Sequence, residues 1–152
     1  MGLIEQSIEV DVPVHTAYNQ WTQFEEFPKF MEGVESITQL DDKRLQWVVE
    51  IGGQRREWTG IITEQTPDQR IAWKSEGETG NAGVVTFHRL DDSRCKVMLQ
   101  LEYQTSDFAE KAGEMLGIIE RRVKADLERF KAFIEARGRE TGAWRGEIKQ
   151  VS

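Results

Sequence analysis

The sequence predicts an α+β domain in which a curved antiparallel sheet closes over one long C-terminal helix. Three patterns support this fold class: an alternating segment followed by two short helical stretches, a series of six short β-like segments, and one long amphipathic stripe. At 152 residues the chain has the usual size of one domain, so a single hydrophobic core is expected.

Composition and charge narrow the classes of partner. Acidic residues outnumber basic residues by 27 to 20, and the resulting net charge of −7 repels a nucleic-acid backbone. The single cysteine, Cys95, cannot form an internal disulfide, which is typical of a reducing compartment, and we interpret it as core packing. Because the chain has neither an apolar run of about 20 residues nor a signal-peptide pattern, we expect a cytoplasmic protein without integral membrane contact.

The first elements are predicted to be a strand and two short helices. Residues 4–10 alternate between apolar and polar side chains, as a half-buried strand does. Asp11 and Pro13 then mark a helix start, with Asp11 as the candidate N-cap, and the helix extends to about Trp21. Three aromatic residues recur at every third position around a proline and predict a helical turn or two over the core: Phe24, Phe27 and Phe30.

Turn signals divide residues 34–105 into six strands, which we expect to pair as an antiparallel meander. If Gly52 and Gly53 are the central residues of a tight hairpin, the register of the two flanking strands is fixed. The cross-strand pairs are then Trp47 with Trp58, Val49 with Arg56, and Glu50 with Arg55.

A second turn extends this pairing to the next strand. If Pro67 and Asp68 are its two central residues, Ile62 lies opposite Trp73. Side chains alternate between the two faces of a sheet, and these spacings preserve parity. Three indoles are therefore expected on one face of the sheet: Trp47, Trp58 and Trp73.

The last hairpin can be read in two registers. A three-residue loop at 91–93 sets Phe87 opposite Val97 and Val85 opposite Leu99, whereas a two-residue loop would set Phe87 against Lys96. We favour the apolar register. It gives the final strand one core-facing side: Cys95, Val97, Leu99, Leu101 and Tyr103.

A helical stripe follows Thr105, with Ser106 or Asp107 as its candidate cap and Gly138 as its end. At 1.5 Å per residue, roughly 30 residues span about 45 Å, enough to cross a sheet. The basic stretch at 121–124 is interpreted as a solvated face of this helix. Residues 1–138 form the predicted ligand-binding domain, and residues 139–152 a mobile or loosely docked tail with Trp144 as its one anchor.

Three parts of the chain together resemble a known family. They are the segment at 8–14, the segment from Phe24 to Met31 that leads into Gly33 and Val34, and the terminal helix that begins after Tyr103. The resemblance spans residues 4–137 approximately and is to the START-like superfamily, in particular the polyketide cyclase/dehydrase and lipid-transport group with its coenzyme-Q-binding branch. It implies a helix-grip fold, with seven strands wrapped around the helix and a cavity between them, and it brings no catalytic motif.

Enzyme motifs are absent from the sequence. No Ser-His-Asp order, paired histidine ligands or glycine-rich phosphate loop occurs, so we predict no catalytic residues, no metal and no cofactor. His15 and His88 are both expected on the surface. Arg56 is on the tryptophan side of the sheet, where it would either meet the polar head of a ligand or extend into water.

The favoured hypothesis is that the protein binds or carries a hydrophobic small molecule, such as a lipid, a quinone or a polyketide-like molecule. One alternative is a polyketide cyclase or dehydratase, since some members of the group that it resembles bind or carry lipids and quinones, whereas others position a polyketide for cyclisation. Another is a protein-interaction module of a stress-response or toxin-like system that docks through the 139–152 tail. The predicted ligand-binding residues are Trp47, Arg56, Trp58, Trp73, Phe87, Leu99, Leu101, Tyr103, Met115 and Ile119.

Overall fold

A computed structural model describes residues 2–31, 33–51, 54–76, 81–103 and 112–148. The order of the elements agrees with the prediction, and the fold is the helix-grip α+β fold. The elements are β1 (Gly2–Val10), α1 (Val14–Trp21), a 3₁₀ helix (Phe24–Lys29), β2 (Val34–Gln39), β3 (Arg44–Ile51), β4 (Gln54–Thr66), β5 (Arg70–Ser75), β6 (Asn81–Asp91), β7 (Arg94–Tyr103) and α2 (Ala112–Arg137).

All seven strands form one antiparallel sheet in the order β1-β7-β6-β5-β4-β3-β2. Strands β2 to β7 are a meander, and β1 closes the sheet beside β7. The chain must therefore cross from one edge of the sheet to the other between β1 and β2, and α1 with the 3₁₀ helix makes this connection. On the concave side, α2 packs against β1. Its buried stripe has helical spacing: Ile119, Val123, Leu127, Phe130 and Ile134.

The predicted cross-strand pairs of β3 and β4 are confirmed. Trp47 lies opposite Trp58, Val49 opposite Arg56, and Glu50 opposite Arg55. The two glycines that were predicted to form the tip of this hairpin, Gly52 and Gly53, lie outside the described residues. The register still follows from the pairing of the two strands, so the faces of both strands are fixed.

The turn between β4 and β5 differs from the prediction, although the predicted pair of Ile62 with Trp73 is present. The loop has three residues rather than two, because Thr66 pairs with Arg70, and Asp68 takes a positive φ of 63° within it. Aspartate tolerates this left-handed conformation better than most residues. A register shift between Ile62 and Glu64 compensates for the extra loop residue and restores the predicted pair.

The last hairpin shows the converse compensation. Its loop is one residue shorter than predicted, since Asp91 pairs with Arg94, and a register shift lies between Arg89 and Asp91. The side chain of Asp91 stabilises the turn by accepting a 2.8 Å hydrogen bond from the backbone N–H of Ser93. The apolar register is confirmed beyond the shift, with Phe87 opposite Val97 and Val85 opposite Leu99.

An aromatic cluster fills one end of the space between the sheet and α2. Trp21 at the end of α1 is its centre and is almost fully buried. The centroid of its ring lies 5.4 Å from that of Phe27, 5.0 Å from that of Phe130 and 6.2 Å from that of Phe87. The predicted packing of the short helical turn over the core is thus confirmed, and edge-to-face contacts of this kind add to the stabilisation from burial.

The ends of the two α-helices give one correction and one confirmation. Asp11 is not the cap of α1, because the helix begins only at Val14 and Pro13 occupies the N-cap position without a side-chain hydrogen bond. The backbone N–H of Asp11 instead donates to Glu135 on α2. Gly138 ends α2 as predicted, with a φ of 72° and its N–H 2.8 Å from the carbonyl oxygen of Ile134. The candidate caps Ser106 and Asp107 lie outside the described residues.

The expectation of a mobile or loosely docked tail is wrong for residues 139–148. Ile148 is only 6 % exposed and forms a β-bridge with Gln65 of β4, so it anchors the tail more firmly than the half-buried Trp144. The tail also satisfies buried polar side chains of α1. Gln20 exchanges two hydrogen bonds with Thr141, and the backbone N–H of Trp144 donates to the hydroxyl of Thr22.

Candidate functional site

A cavity of about 170 Å³ lies between the concave face of the sheet and the N-terminal half of α2, and it is partly open. The aromatic cluster around Trp21 forms its closed end, whereas β3, β4, β5 and β7 form the opposing wall. Most of its lining side chains are apolar: Trp21, Phe24, Phe27, Met31, Val34, Leu45, Trp47, Val49, Trp58, Ile62, Ile71, Trp73, Ala82, Leu99, Leu101, Ile118, Ile119, Val123 and Leu127.

The three tryptophans that the sequence placed on one face all line this cavity. Trp47 and Trp58 are stacked, with ring centroids 6.0 Å apart and planes inclined by only 9°. The edge of Phe27 meets Trp47 at 6.0 Å. The indoles therefore offer a flat and rigid apolar wall, which suits a planar ring or an alkyl chain.

Two glycines within strands make room for these indoles. A Cβ atom at Gly60 would lie 2.9 Å from Nε1 of Trp47, and one at Gly83 would lie 2.6 Å from Cζ2 of Trp73. Any larger residue at either position would push an indole away from the sheet and into the cavity. Glycine inside a strand is the sequence signal for such close approach, but this role of Gly60 and Gly83 was not predicted.

Six of the predicted ligand-binding residues line the cavity, and two do not. The side chains of the remaining two, Tyr103 and Met115, lie outside the described part of the structure. Arg56 is half-buried opposite Val49, and the cavity lining does not include it. The six residues that line the cavity are Trp47, Trp58, Trp73, Leu99, Leu101 and Ile119.

The placement of Phe87 corrects the prediction. Phe87 does lie on the concave face, but its ring meets Tyr18 edge-on at 5.3 Å and Trp21 at 6.2 Å, both on α1. Because α1 fills this end of the sheet, Phe87 is core packing rather than cavity wall. Strand parity predicts the face of Phe87 correctly, but it carries no information about which helix covers that part of the face.

Three charged residues were missed: Glu102, Arg122 and Asp126 all border the cavity. The interpretation of residues 121–124 as a solvated face is wrong for Arg122, although Arg121 and Lys124 are exposed. Arg122 is half-buried, and its Nη1 atom lies 2.4 Å from where a Cβ atom of Gly33 would be. Its helical spacing from Ile118 and Ile119 is the signal that could have found it.

The electrostatic setting of these three residues differs. The carboxylate of Asp126 is mostly buried and forms an ion pair with Arg129 one turn further along α2. Glu102 is exposed, so solvent screens its charge. In the described ranges, no hydrogen bond or ion pair involves the guanidinium of Arg122. Arg122 is therefore the cation at the cavity that is most available to a ligand.

The other ionisable residues considered in the sequence analysis lie away from the cavity. His15 and His88 are both exposed, as expected, and Nε2 of His88 is 2.9 Å from the hydroxyl of Thr86. Cys95 is fully buried, which confirms it as core packing, and burial raises the pKa of its thiol to about 11. The thiol is therefore protonated at neutral pH and a poor nucleophile. None of the described helices combines the length and apolar character that crossing a membrane requires.

Comparisons with known proteins agree with the predicted resemblance. Residues 10–132 match the family described as polyketide cyclase / dehydrase and lipid transport. The chain is 57% identical over 149 residues to an uncharacterized 17.2 kDa protein in the melC2-rnhH intergenic region of Streptomyces lincolnensis, covering 97% of this chain and 99% of that protein. The coenzyme-Q-binding branch stays a prediction, because none of these matches distinguishes it.

Two solved structures illustrate the fold. The Zhui aromatase/cyclase from a Streptomyces species is 19% identical, with a TM-score of 0.78 over 94% of this chain and 99% of that chain. A START superfamily protein from Mycobacterium smegmatis is 17% identical, with a TM-score of 0.64 over 84% of this chain and 97% of that chain. At these identities the likeness establishes the architecture alone.

Proposed function

Because the chain belongs to the polyketide cyclase/dehydrase and lipid transport family, we propose that it binds or carries a hydrophobic small molecule between the sheet and α2. The observation that carries this proposal is the apolar cavity with Trp47, Trp58 and Trp73 in its wall. A lipid, a quinone or a polyketide-like molecule fits the chemistry of that wall. The aromatic cluster next to the cavity is tightly packed, which supports the view that the cavity is a feature of the fold and not a packing defect.

The size and lining of the cavity support the same proposal. An apolar cavity of about 150 Å³ in a well-packed protein stays free of water and binds benzene. The cavity here has about 170 Å³ and a lining of similar character, and it is partly open. A ring system or short alkyl chain within it would remove apolar surface from water, at about 25 cal/mol per Å². Longer parts of a ligand would extend through the opening.

The direct test is to purify the protein under native conditions, extract it with organic solvent and identify bound molecules by mass spectrometry. We expect a hydrophobic molecule in stoichiometric amount. Leu101→Trp should abolish this, because Leu101 lines the cavity. Leu90→Trp is the matched control, since Leu90 is 42% exposed and lies outside the cavity lining. A wild-type protein that is consistently empty and binds no added hydrophobic probe would contradict the proposal.

A second candidate function is cyclisation or dehydration of a polyketide-like substrate in the same cavity. What favours it is the presence of Arg122 and Asp126 at the cavity, since such chemistry needs polar groups that converge on a bound chain. The carboxylate of Asp126 is already engaged in an ion pair with Arg129, which is why binding without catalysis is preferred. Incubation with a linear poly-β-ketone thioester analogue and chromatography of the products would separate the two functions.

A further inference from the structure

We propose that Arg122 binds the carboxylate of the ligand, so that the cavity selects apolar carboxylic acids over neutral molecules of the same shape. This inference rests on the proposed function and adds the chemical class of the ligand to it. The apolar part of the molecule would contact the indole wall. The acid group would lie at the edge of the cavity, where the N-terminal half of α2 approaches Gly33.

The position of Arg122 is built by its neighbours. Ile118 and Ile119 precede it by one helical turn and also line the cavity, so Arg122 continues the same face of α2. Its guanidinium lies over the backbone of Gly33, where any Cβ atom would come within 2.4 Å of Nη1. The absence of a side chain at Gly33 thus leaves the space that the guanidinium occupies at the edge of the cavity.

The charges around Arg122 favour an anionic ligand. A half-buried guanidinium has lost part of its hydration, and among the described residues no carboxylate or carbonyl forms a hydrogen bond or ion pair with it. The carboxylate one helical turn further along α2, Asp126, is ion-paired with Arg129. A guanidinium presents a fork of N–H donors whose geometry matches two carboxylate oxygens.

The same surroundings favour a single negative charge. Glu102 and Asp126 both border the cavity, and although solvent screens one and Arg129 pairs with the other, the repulsion that remains is larger for a phosphate dianion than for a singly charged ligand. A carboxylate carries one charge and can accept two parallel hydrogen bonds from the guanidinium. An apolar carboxylic acid is therefore the class of ligand that these residues fit best.

The test uses a matched pair of probes, 2-naphthoate and its neutral isostere 2-naphthamide, in isothermal titration calorimetry at pH 7. The wild type should bind 2-naphthoate at least about tenfold more tightly, as a charge-assisted hydrogen-bond pair implies. Arg122→Gln should lose this preference and bind 2-naphthamide as before. Arg121→Gln is the control, because it removes the same charge from an exposed position next in sequence.

The outcomes distinguish this inference from the proposed function. If the wild type binds both probes equally, or if Arg121→Gln weakens 2-naphthoate as much as Arg122→Gln does, the inference fails and the cavity remains a binding site. If neither probe binds, nor decanoate and 1-decanol as an alkyl pair, both the inference and the proposed function fail. Arg122→Lys keeps the charge without the fork and should retain part of the preference, so the comparison holds even if Arg122→Gln does not fold.

Discussion

Glycines determine how closely the tryptophans approach the sheet. Gly83 lies directly opposite Trp73 on the neighbouring strand, and the indole covers it. Gly60 lies opposite Leu45 rather than Trp47, but the indole of Trp47 covers it diagonally. Glycine is unfavourable within a strand for its backbone entropy, so its use beneath two indoles that line the cavity indicates that the space above it matters more than local propensity.

Gly83→Ala is therefore expected to lower both stability and ligand binding. The new Cβ atom would lie 2.6 Å from Trp73 and would push the indole into the cavity, at a cost of about 1–3 kcal/mol as overpacking typically shows. Urea denaturation and calorimetry with 2-naphthamide measure the two effects. Gly117→Ala on α2 is the control, since its Cβ atom would meet only the end of Arg121 at 3.9 Å and should stabilise the helix by up to about 1 kcal/mol. Equal effects of the two substitutions would contradict the argument.

The buried thiol of Cys95 gives a pH dependence at alkaline pH. Its pKa is raised from 9.0 to about 11 because burial disfavours the thiolate. An unfolded chain loses this proton at lower pH than the folded chain, so the free energy of unfolding should fall as the pH rises from about 9 to about 11, by at most about 3 kcal/mol. Below pH 9 this contribution is fully present.

The measurement is a series of urea denaturations between pH 8 and pH 11 for the wild type and Cys95→Ala. The variant should be less stable than the wild type at pH 8, but it should lose less stability over the alkaline range. Burial raises the pKa of Tyr18 as well, so part of the alkaline decrease should remain in the variant. Parallel curves for the two proteins would show that Cys95 does not titrate as described.

At the scale of elements, strand pairing could be predicted from the sequence and turn length could not. The pair of Ile62 with Trp73 is correct although the loop before it has one more residue than predicted, because a register shift in β4 compensates. The apolar pairs of β6 and β7 are also correct, because a register shift in β6 compensates for a loop that is one residue shorter than predicted. Parity of apolar side chains fixes a register strongly, since a slip of one residue turns every side chain to the other face. Bulges adapt the loops to that register and have weak signals of their own.

The prediction of a mobile or loosely docked tail is the one that was wrong for a whole segment. Its residues are polar, and a polar segment without an apolar stripe predicts disorder. The partners that hold it are polar as well: Asn19, Gln20 and Thr22 on α1 are all buried, and the tail supplies their hydrogen bonds. The signal was therefore in α1, where three polar residues occupy positions that a long-range partner must satisfy.

Truncation after Gly138 should destabilise the protein by about 3 kcal/mol or more. It would remove the burial of Ile148 and leave Asn19 and Gln20 without their hydrogen bonds to the tail. Thermal and urea unfolding measure the loss. Ile148→Ala in the full chain should reproduce part of it, whereas substitution of the exposed Arg139 by alanine should change stability little. An unchanged unfolding midpoint on truncation would favour the alternative that the tail is a docking segment for a protein partner.

At the scale of the whole molecule, only part of the binding site could be predicted from the amino-acid sequence. The indole wall could be predicted because it follows from parity within one continuous sheet. The charged edge could not, because Arg122, Glu102 and Gly33 come from three separate elements and meet only in the folded chain. Phe87 was assigned to the cavity for the same reason, since the position of α1 over the sheet decides its surroundings. Faces of elements are local properties, whereas the boundary between core and cavity is a property of the assembled fold.

The cavity should lower the stability of the whole fold, and filling it should raise stability at the expense of binding. At about 24 cal/mol per Å³, a cavity of about 170 Å³ corresponds to about 4 kcal/mol, as an upper value for a cavity that is partly open. Leu101→Trp fills part of it and should raise the free energy of unfolding by about 1 kcal/mol while blocking 2-naphthoate.

In the wild type, 2-naphthoate at 100 times its Kd should raise the same free energy by about 2.7 kcal/mol, and Leu101→Trp should show no such increase. Leu90→Trp should bind normally and show no gain, because Leu90 is exposed and lies outside the cavity lining. If Leu101→Trp were destabilised and still bound the probe, the space beside Leu101 would not be the binding site.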